Sequence, residues 1–255
     1  MSHYAVFFSP TGGTEKITGR IAAGLGTYEA IDLSERDREG EFVFAQEDVC
    51  VIGVPSYGGR VPAAALERME RFQGNAARAV LVVVYGNRAY DDTFVELQDF
   101  LEEKNFRPVA AVAAVAEHSV MRGIAEGRPD AADLEELDRY AGEIRAALEK
   151  TGEMELKLPG NHPYREYNGI PFKPKAGRTC TGCGICARAC PVGAIPQNAP
   201  HTTDTEKCIS CMRCIRVCKK NARKVNGWMI KIASHKLKKK WAERKPNELF
   251  VGKGK

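Results

Sequence analysis

The sequence predicts an α/β protein: a doubly wound sheet of five parallel strands, followed by a small α+β unit built around cysteine. Three observations carry this. Short apolar runs alternate with helix-period patterns over residues 1–150, as expected of parallel strands covered by helices on both faces. Eight of the nine cysteines lie between Cys180 and Cys218. A stretch rich in Pro and Gly, 151–177, separates the two regions and reads as a connector. The chain therefore divides into 1–150, 151–177, 178–225 and a basic tail, 226–255.

The elements follow in order. Residues 3–8 read as a strand. Residues 14–25 read as a helix, with Ile17, Ile21 and Leu25 on one stripe. A short strand is expected at 30–33. The run V-C-V-I-G-V at 49–54 is a buried strand that holds the ninth cysteine, Cys50, as a small core side chain. A helix follows at 62–72. The run A-V-L-V-V-V-Y at 79–85 is the most apolar strand pattern. Residues 93–103 read as a helix and 109–116 as the fifth strand. Residues 133–150 form an amphipathic helix, with Leu134, Leu137, Ile144 and Leu148 on its apolar face. In the connector, Tyr164, Tyr167 and Phe172 imply packing against a neighbour.

Charge is unevenly spread. The formal net charge is +5, yet residues 219–255 hold thirteen Lys and Arg against two acids. The rest of the chain is therefore net negative. Such a tail, with Ile232, Leu237 and Trp241 interspersed, reads first as a solvated helix packed on one unit. It would otherwise dock an acidic protein, nucleic acid or an anionic membrane. No apolar run reaches the roughly 18–20 residues that span a bilayer. The N-terminus lacks the basic stretch and small-residue cleavage site of a signal peptide. Cysteines gathered behind a cysteine-poor region fit metal binding in a reducing cytoplasm better than extracellular disulfides.

The two cysteine runs are an internal repeat. The first, C-T-G-C-G-I-C-A-R-A-C-P, gives Cys180, Cys183, Cys186 and Cys190; the second, C-I-S-C-M-R-C-I-R-V-C-K, gives Cys208, Cys211, Cys214 and Cys218. A cubane cluster needs four thiolates at the corners of a tetrahedron. Three closely spaced cysteines in a tight loop reach three irons, while the fourth points elsewhere. Zinc sites use cysteine pairs at longer separations. Residues 176–225 resemble the bacterial two-[4Fe–4S] ferredoxins. That resemblance implies crossed ligation, with Cys180, Cys183, Cys186 and Cys218 on one cluster and Cys208, Cys211, Cys214 and Cys190 on the other. One departure is Lys219, where a proline is expected after the second run. It changes local packing and charge without removing a ligand.

Three loops of the first region carry a second pattern. After the first strand comes S-P-T-G-G-T-E-K, where hydroxyls, glycines and a helix N-terminus together suit a monophosphate. It lacks the G-K-[ST] of a nucleotide loop and the dinucleotide spacing, and an ordinary Gly-rich turn is the alternative. P-S-Y-G-G-R-V-P follows the strand at 49–54, and G-N-R-A-Y-D-D follows the strand at 79–85. In a doubly wound sheet such strand ends converge on one ligand crevice. Tyr57 and Tyr90 offer rings for stacking, and Gly58, Gly59 and Gly86 let backbone approach closely.

These loops resemble those of flavodoxins over about residues 3–150. The whole chain resembles the flavodoxin–ferredoxin fusion proteins of anaerobic bacteria and archaea. The resemblance implies a flavodoxin-like sheet, a bound FMN and two [4Fe–4S] clusters. It implies that Ser9, Thr11, Gly12, Gly13 and Thr14 hold the phosphate. The ring would lie among Pro55, Ser56, Tyr57, Gly58 and Gly59 from one loop and Gly86, Asn87, Arg88, Tyr90 and Asp91 from the other. Ordinary flavodoxins surround FMN with acids, whereas Arg60 and Arg88 stand in these loops. Either they stabilise an anionic reduced flavin, or they face solvent or pair with Asp91 and Asp92. His118, just after the last strand, is a candidate crevice residue and proton donor, or simply a loop histidine.

The expected function is electron transfer between two clusters and FMN, linking one-electron ferredoxin-type donors to a flavin-dependent reduction. The alternatives are a pure carrier between redox partner proteins, acidic ones by charge, and a redox-sensing nucleic-acid binder. The last ranks lowest, because a sensor needs one redox cofactor. A small-molecule acceptor, the catalytic residues, the direction of flow and a homo-oligomer are all left open by the sequence.

Overall fold

The computed structural model describes residues 1–36, 40–150, 152, 154–238 and 241–254. Thr151 of the connector and Lys239, Lys240 and Lys255 of the tail lie outside the described residues. The first region contains β1 (His3–Phe7), α1 (Gly13–Leu25), β2 (Glu29–Asp32), β3 (Phe42–Val43), β4 (Val49–Pro55) and α2 (Ala63–Met69). It continues with β5 (Phe72–Gln73), β6 (Arg78–Tyr85), α3 (Thr93–Glu103), β7 (Arg107–Val115) and α4 (Ala131–Leu148).

The five long strands pair in parallel in the order β2-β1-β4-β6-β7. Counting those five alone, the order is second, first, third, fourth, fifth. This is the flavodoxin-like winding, whose direction reverses between β1 and β4. Burial on both faces explains the unbroken apolar strands: β6 is buried at every position but its first. On one face Ala65, Met69, Phe94, Leu97 and Leu101 of α2 and α3 meet the sheet. On the other, Ile17, Ile21 and Leu25 of α1 join Leu137, Ile144 and Leu148 of α4. Each Ile, Leu, Met or Phe among them contributes about 1.5–3 kcal/mol on burial. Cys50 is fully buried in β4, where burial and Asp48 push its thiol far above the ordinary range.

Two elements differ from the sequence reading. The helix expected to 72 stops at Met69, and Phe72 opens β5, which pairs with β3 inside a cluster of Phe42, Phe44, Phe72 and Phe106 rings. The tail is not an appendage. After β8 (Met154–Glu155), β9 (Lys175–Ala176), α5 (Ile185–Arg188), α6 (Arg213–Arg216), β10 (Arg223–Lys224) and α7 (Gly227–Lys238), the chain returns as β11 (Glu248–Val251). That strand pairs antiparallel with β7, covers its edge and makes the sheet six-stranded. The chain then ends in β12 (Lys253–Gly254), paired with β8.

The connector is strapped to the first region. Asp92 accepts from the amides of Asn161 and Arg165 at 2.9 and 2.8 Å, and Leu156 is buried. The small unit pairs β9 with β10 and sets α5 against α6. It docks through Val192 and Ile209 on the α2 side of the core. A second seam gathers Val120, Met121 and Ile124 after β7, Met212 between the cysteines, Phe172 of the connector and Trp241 of the tail.

Candidate functional site

The C-terminal ends of β1, β4, β6 and β7 open onto one crevice of about 260 Å³. Ser9, Thr11, Gly13 and Thr14 form its floor at the start of α1. Gly12 stands behind them as the left-handed cap, at φ +91°, a conformation that side chains disfavour. The Ser9 Oγ accepts from the Glu15 amide at 2.9 Å, and its own proton remains free to donate. The Gly13 and Thr14 amides belong to the first turn, which has no intrahelical acceptors.

The end of β4 and the loop after it supply Pro55, Ser56, Tyr57 and Gly58 to the wall. Tyr57 and Arg60 exchange backbone hydrogen bonds at 3.0 and 3.3 Å across Gly58 and Gly59, which sit at φ +63° and +88°. Two positive φ values in sequence define a type I′ turn. The Gly59 position has a second constraint, since a Cβ there would meet the Asp91 carboxylate at 2.3 Å. Arg60 turns away from the crevice. It pairs with Glu96 at 2.6 Å and lies over the Tyr164 ring.

The loop after β6 contributes Gly86 and Arg88, and Arg88 pairs with Asp91. Ala89 lines the crevice too, whereas Asn87, Tyr90 and Asp91 do structural work outside the lining. Asn87 is buried and donates to the carbonyls of Trp241 and Glu243 at 2.7 and 2.8 Å, holding the tail in place. Tyr90 turns inward: its ring meets Tyr85 and Phe94 edge-on, and its hydroxyl donates to Glu248 at 2.7 Å. Asp91 pairs with Arg165 at 2.5 Å. The stacking role the sequence suggests for Tyr90 is therefore replaced by a core role, because β11 brings a carboxylate behind the loop.

His118 lies in the crevice wall. Its Nδ1 accepts from the amides of Val120 and Met121, both at 3.2 Å, which puts the neutral ring's proton on Nε2. Burial, with a smaller push from Arg88, lowers the imidazole to about 4. The unfolded chain takes this proton near 6.5, so between the two values it binds more protons than the folded chain, and stability falls as pH drops from 6.5 to 4. His118→Gln is expected to remove about 2–3 kcal/mol of that acid loss. Urea unfolding at pH 7 and at pH 4.5 checks this; an unchanged difference between the two pH values counts against it.

The structure adds walls that the loops alone did not reveal. Ile170 and Phe172 of the connector, Ser210 of the second cysteine run, and Leu237 and Trp241 of the tail close the crevice. Trp241 stacks on His118 with ring centroids 6.2 Å apart and planes 7° off parallel. Phe172 and Trp241 had a sequence signal, as apolar side chains in otherwise polar segments. Ser210 had none.

The eight clustered cysteines fall into two groups. One cavity is lined by Cys180, Cys183, Cys186 and Cys218, and another by Cys190, Cys208, Cys211 and Cys214. Each group takes three cysteines from one run and the fourth from the other. The repeat is visible in the backbone. Gly182 and Gly184 have φ of +68° and +72°, and the matching Ser210 and Met212 have +57° and +65°. The loop thus needs two left-handed residues, and the second run meets that need with side chains present. Against the cost of burial, the amides of Arg223, Ala222 and Lys220 hold the Cys218 thiol below its ordinary range. Burial pushes Cys211 and Cys214 up to about 12. Such buried sulfurs ionise readily only with a metal beside them. Among the described residues, no three His, Cys, Asp or Glu side chains are disposed to hold a single metal ion. The cysteines instead surround cavities, a donor set that fits a cluster whose irons take one thiolate each.

The groups differ in exposure. Cys183 is exposed, whereas Cys190, Cys211 and Cys214 are buried. The second group abuts the crevice: Ser210 lines it, and burial and the neighbouring Cys211 raise the Tyr57 phenol well above its ordinary range.

Residues 179–222 match the family model of the 4Fe-4S dicluster domain. Among solved structures, the chain is similar to a flavodoxin from the domain Archaea at 13% identity and a TM-score of 0.43, over 59% of this chain and 100% of that one. It is also similar to the flavodoxin of Streptococcus pneumoniae TIGR4 at 15% identity and a TM-score of 0.40, over 57% of this chain and 99% of that one. No curated protein matches the chain. The strand order and the dicluster segment together define a flavodoxin-like α/β unit joined to a 4Fe–4S ferredoxin unit. The chain thus joins a sheet of flavodoxin-like winding to a 4Fe-4S dicluster segment.

Proposed function

We propose that the chain passes electrons from a one-electron protein donor, through two [4Fe–4S] clusters, to an FMN in the crevice. The observation that carries this is the shared wall: Ser210 lines the crevice and is followed directly by Cys211 of the buried cysteine group. Cys180, Cys183, Cys186 and Cys218 would hold the outer cluster, and Cys190, Cys208, Cys211 and Cys214 the inner one. Ser9, Thr11, Gly13 and Thr14 would bind the phosphate by hydroxyl and amide donors. Tyr57, Gly58, Gly86, Arg88 and His118 would border the ring. FMN, when bound, supplies a centre able to exchange one or two electrons. The chain's own part is to orient it, keep water out with Leu237, Trp241, Ile170 and Phe172, and present the neutral His118 Nε2–H.

The donor side has its own chemistry. Between Lys175 and Lys224 the sequence carries ten Lys and Arg against two acids. Arg178, Arg188, Arg216, Lys219 and Lys220 are exposed on the unit that presents Cys183. This favours an acidic donor protein, with an encounter rate that falls as salt rises. The tail is a weaker candidate for that role, since Arg244 pairs with Asp130 and Lys245 with the Arg88 carbonyl.

The test is to purify the protein without oxygen, measure iron and flavin, and follow the visible spectrum during reductive titration. Equal molar FMN with about eight irons per chain supports the reading. Full iron without flavin overturns the crevice assignment. Thr14→Val with Ser9→Ala is expected to cost at least about tenfold in FMN affinity by removing two phosphate donors.

A further inference from the structure

The most unusual buried group outside the crevice is Arg223. It is 1% exposed and is among the largest fully buried side chains. The internal repeat shows how odd this is. Five residues after the last cysteine of each run, the first copy has Ile195 and the second has Arg223, and the residues just before them, Ala194 and Ala222, match. Ile195 is 3% exposed, so both positions are interior. One half of the module fills this place with an apolar side chain, and the other with a cation.

Arg223 makes good hydrogen bonds. Its Nη1 donates to Thr203 Oγ1 at 2.6 Å, and its Nη2 to the carbonyls of Pro200 and Thr202 at 2.6 and 2.7 Å. All these acceptors are neutral. Its Nε has no hydrogen-bond partner, and no carboxylate pairs with it among the described residues. A buried charge normally has a counter-charge, because desolvation costs several kcal/mol per ion. Arg223 lines the cavity of Cys180, Cys183, Cys186 and Cys218. Its partner Thr203 lines the cavity of the other group, Cys190, Cys208, Cys211 and Cys214. Four thiolates outweigh the positive charge of an iron–sulfur core, so both loaded sites are anionic.

We infer that Arg223 is the internal counter-charge of the two cysteine sites and makes the clusters they hold easier to reduce. The inference rests on the proposed cluster sites and is independent of the flavin. The physical step is simple. Each cluster gains one electron and one unit of negative charge, and a fixed cation in a low-dielectric interior favours that state over the oxidised one. The protein thereby accepts electrons from a weaker donor than the same fold with isoleucine at this position.

The test compares Arg223→Ile, Arg223→Gln and Arg223→Lys in the full, iron-loaded chain, with cluster reduction followed by electron paramagnetic resonance during a potentiometric titration. The Ile and Gln variants are expected to disfavour reduction by about tenfold, which is about 59 mV for one electron, while Lys stays near the parent. Unchanged potentials in the neutral variants overturn the inference. So does a Lys variant shifted as far as Gln, because it would mark the hydrogen bonds and not the charge. Where the neutral variants fail to retain iron, retention by the Lys variant supports the inference, and equal loss from it counts against it. Absence of cluster signals from the unmodified chain would instead sink the proposed cluster sites themselves.

Discussion

Replacing Cys211 with serine is expected, on the proposed assignment of two clusters and FMN, to remove about half of the protein's iron and to stop protein donors from reducing the FMN, while leaving the FMN bound. Cys211 is buried, and its thiol is pushed up to about 12. Without metal this sulfur is neutral, so the loaded and unloaded states of the site differ in charge as well as in bonding. The same residue belongs to the buried cysteine group and is the member that neighbours Tyr57 of the crevice wall. Its loss therefore interrupts the proposed route where the two units meet. Cys183→Ser makes the contrast. Cys183 is exposed at the outer group, so its loss should block entry from a protein donor but spare the inner cluster. Iron analysis gives the first reading, and stopped-flow bleaching near the flavin band with a protein donor gives the second. A small reductant that reaches the crevice directly should reduce the cofactor in both variants. Full iron and unchanged bleaching in Cys211→Ser would show that this residue is no ligand.

Local patterns in the sequence carried most of the fold, and long-range ones did not. The five strands announce themselves because each is apolar throughout, as a sheet buried on both faces requires. The crevice loops announce themselves because glycine and hydroxyl residues follow strand ends. β11 does not. Its E-L-F-V is four residues long and follows a basic segment, and its partner β7 lies more than a hundred residues earlier. Tyr90 shows the same limit. Its place after β6 suggested ring stacking, but the orientation of its side chain depends on Glu248, which arrives only with β11. Ser210 illustrates a third kind of gap. Nothing in its identity marks a crevice residue, and only the docking of the small unit against Met121 and Phe172 brings it there. Residues whose role follows from their own strand or loop were legible. Residues whose role follows from the return of the tail were not.

That return is held in part by one buried ion pair, and breaking it is expected to have the largest effect on stability. Arg128 and Asp133 have side chains 4% and 2% exposed and pair through two hydrogen bonds, at 2.8 and 2.5 Å. Arg128 also donates to the Lys245 carbonyl at 2.7 Å, and Asn247 donates to both Asp133 and Glu136. Asn247 in turn accepts from the Val115 amide at 2.9 Å, just where β11 joins β7. Burial alone would raise the Asp133 carboxyl, but the Arg128 guanidinium and the Asp130 amide hold it below the ordinary range. Arg128→Leu removes the buried cation and leaves that carboxylate only the half-exposed Arg244, 3.0 Å away, at a cost toward the lower end of roughly 3–5 kcal/mol. Replacing both partners, Arg128→Leu with Asp133→Leu, should recover only part of the loss: it removes the unpaired charge, but the Asp130 amide, the Asn247 side chain and the Lys245 carbonyl each lose a partner. The pH dependence distinguishes the two variants. In the parent chain a carboxyl held low contributes stability above its ordinary pKa, which is lost as pH falls through the lower folded value. In Arg128→Leu the buried carboxyl is raised instead, so acidification from pH 7 to pH 5 should narrow the gap to the parent, and the double variant should show no such narrowing. Urea unfolding at both pH values measures this. A single variant within about 1 kcal/mol of the parent at pH 7 would mean that the tail is held by β11 pairing and the Trp241–His118 stack, and not by this pair.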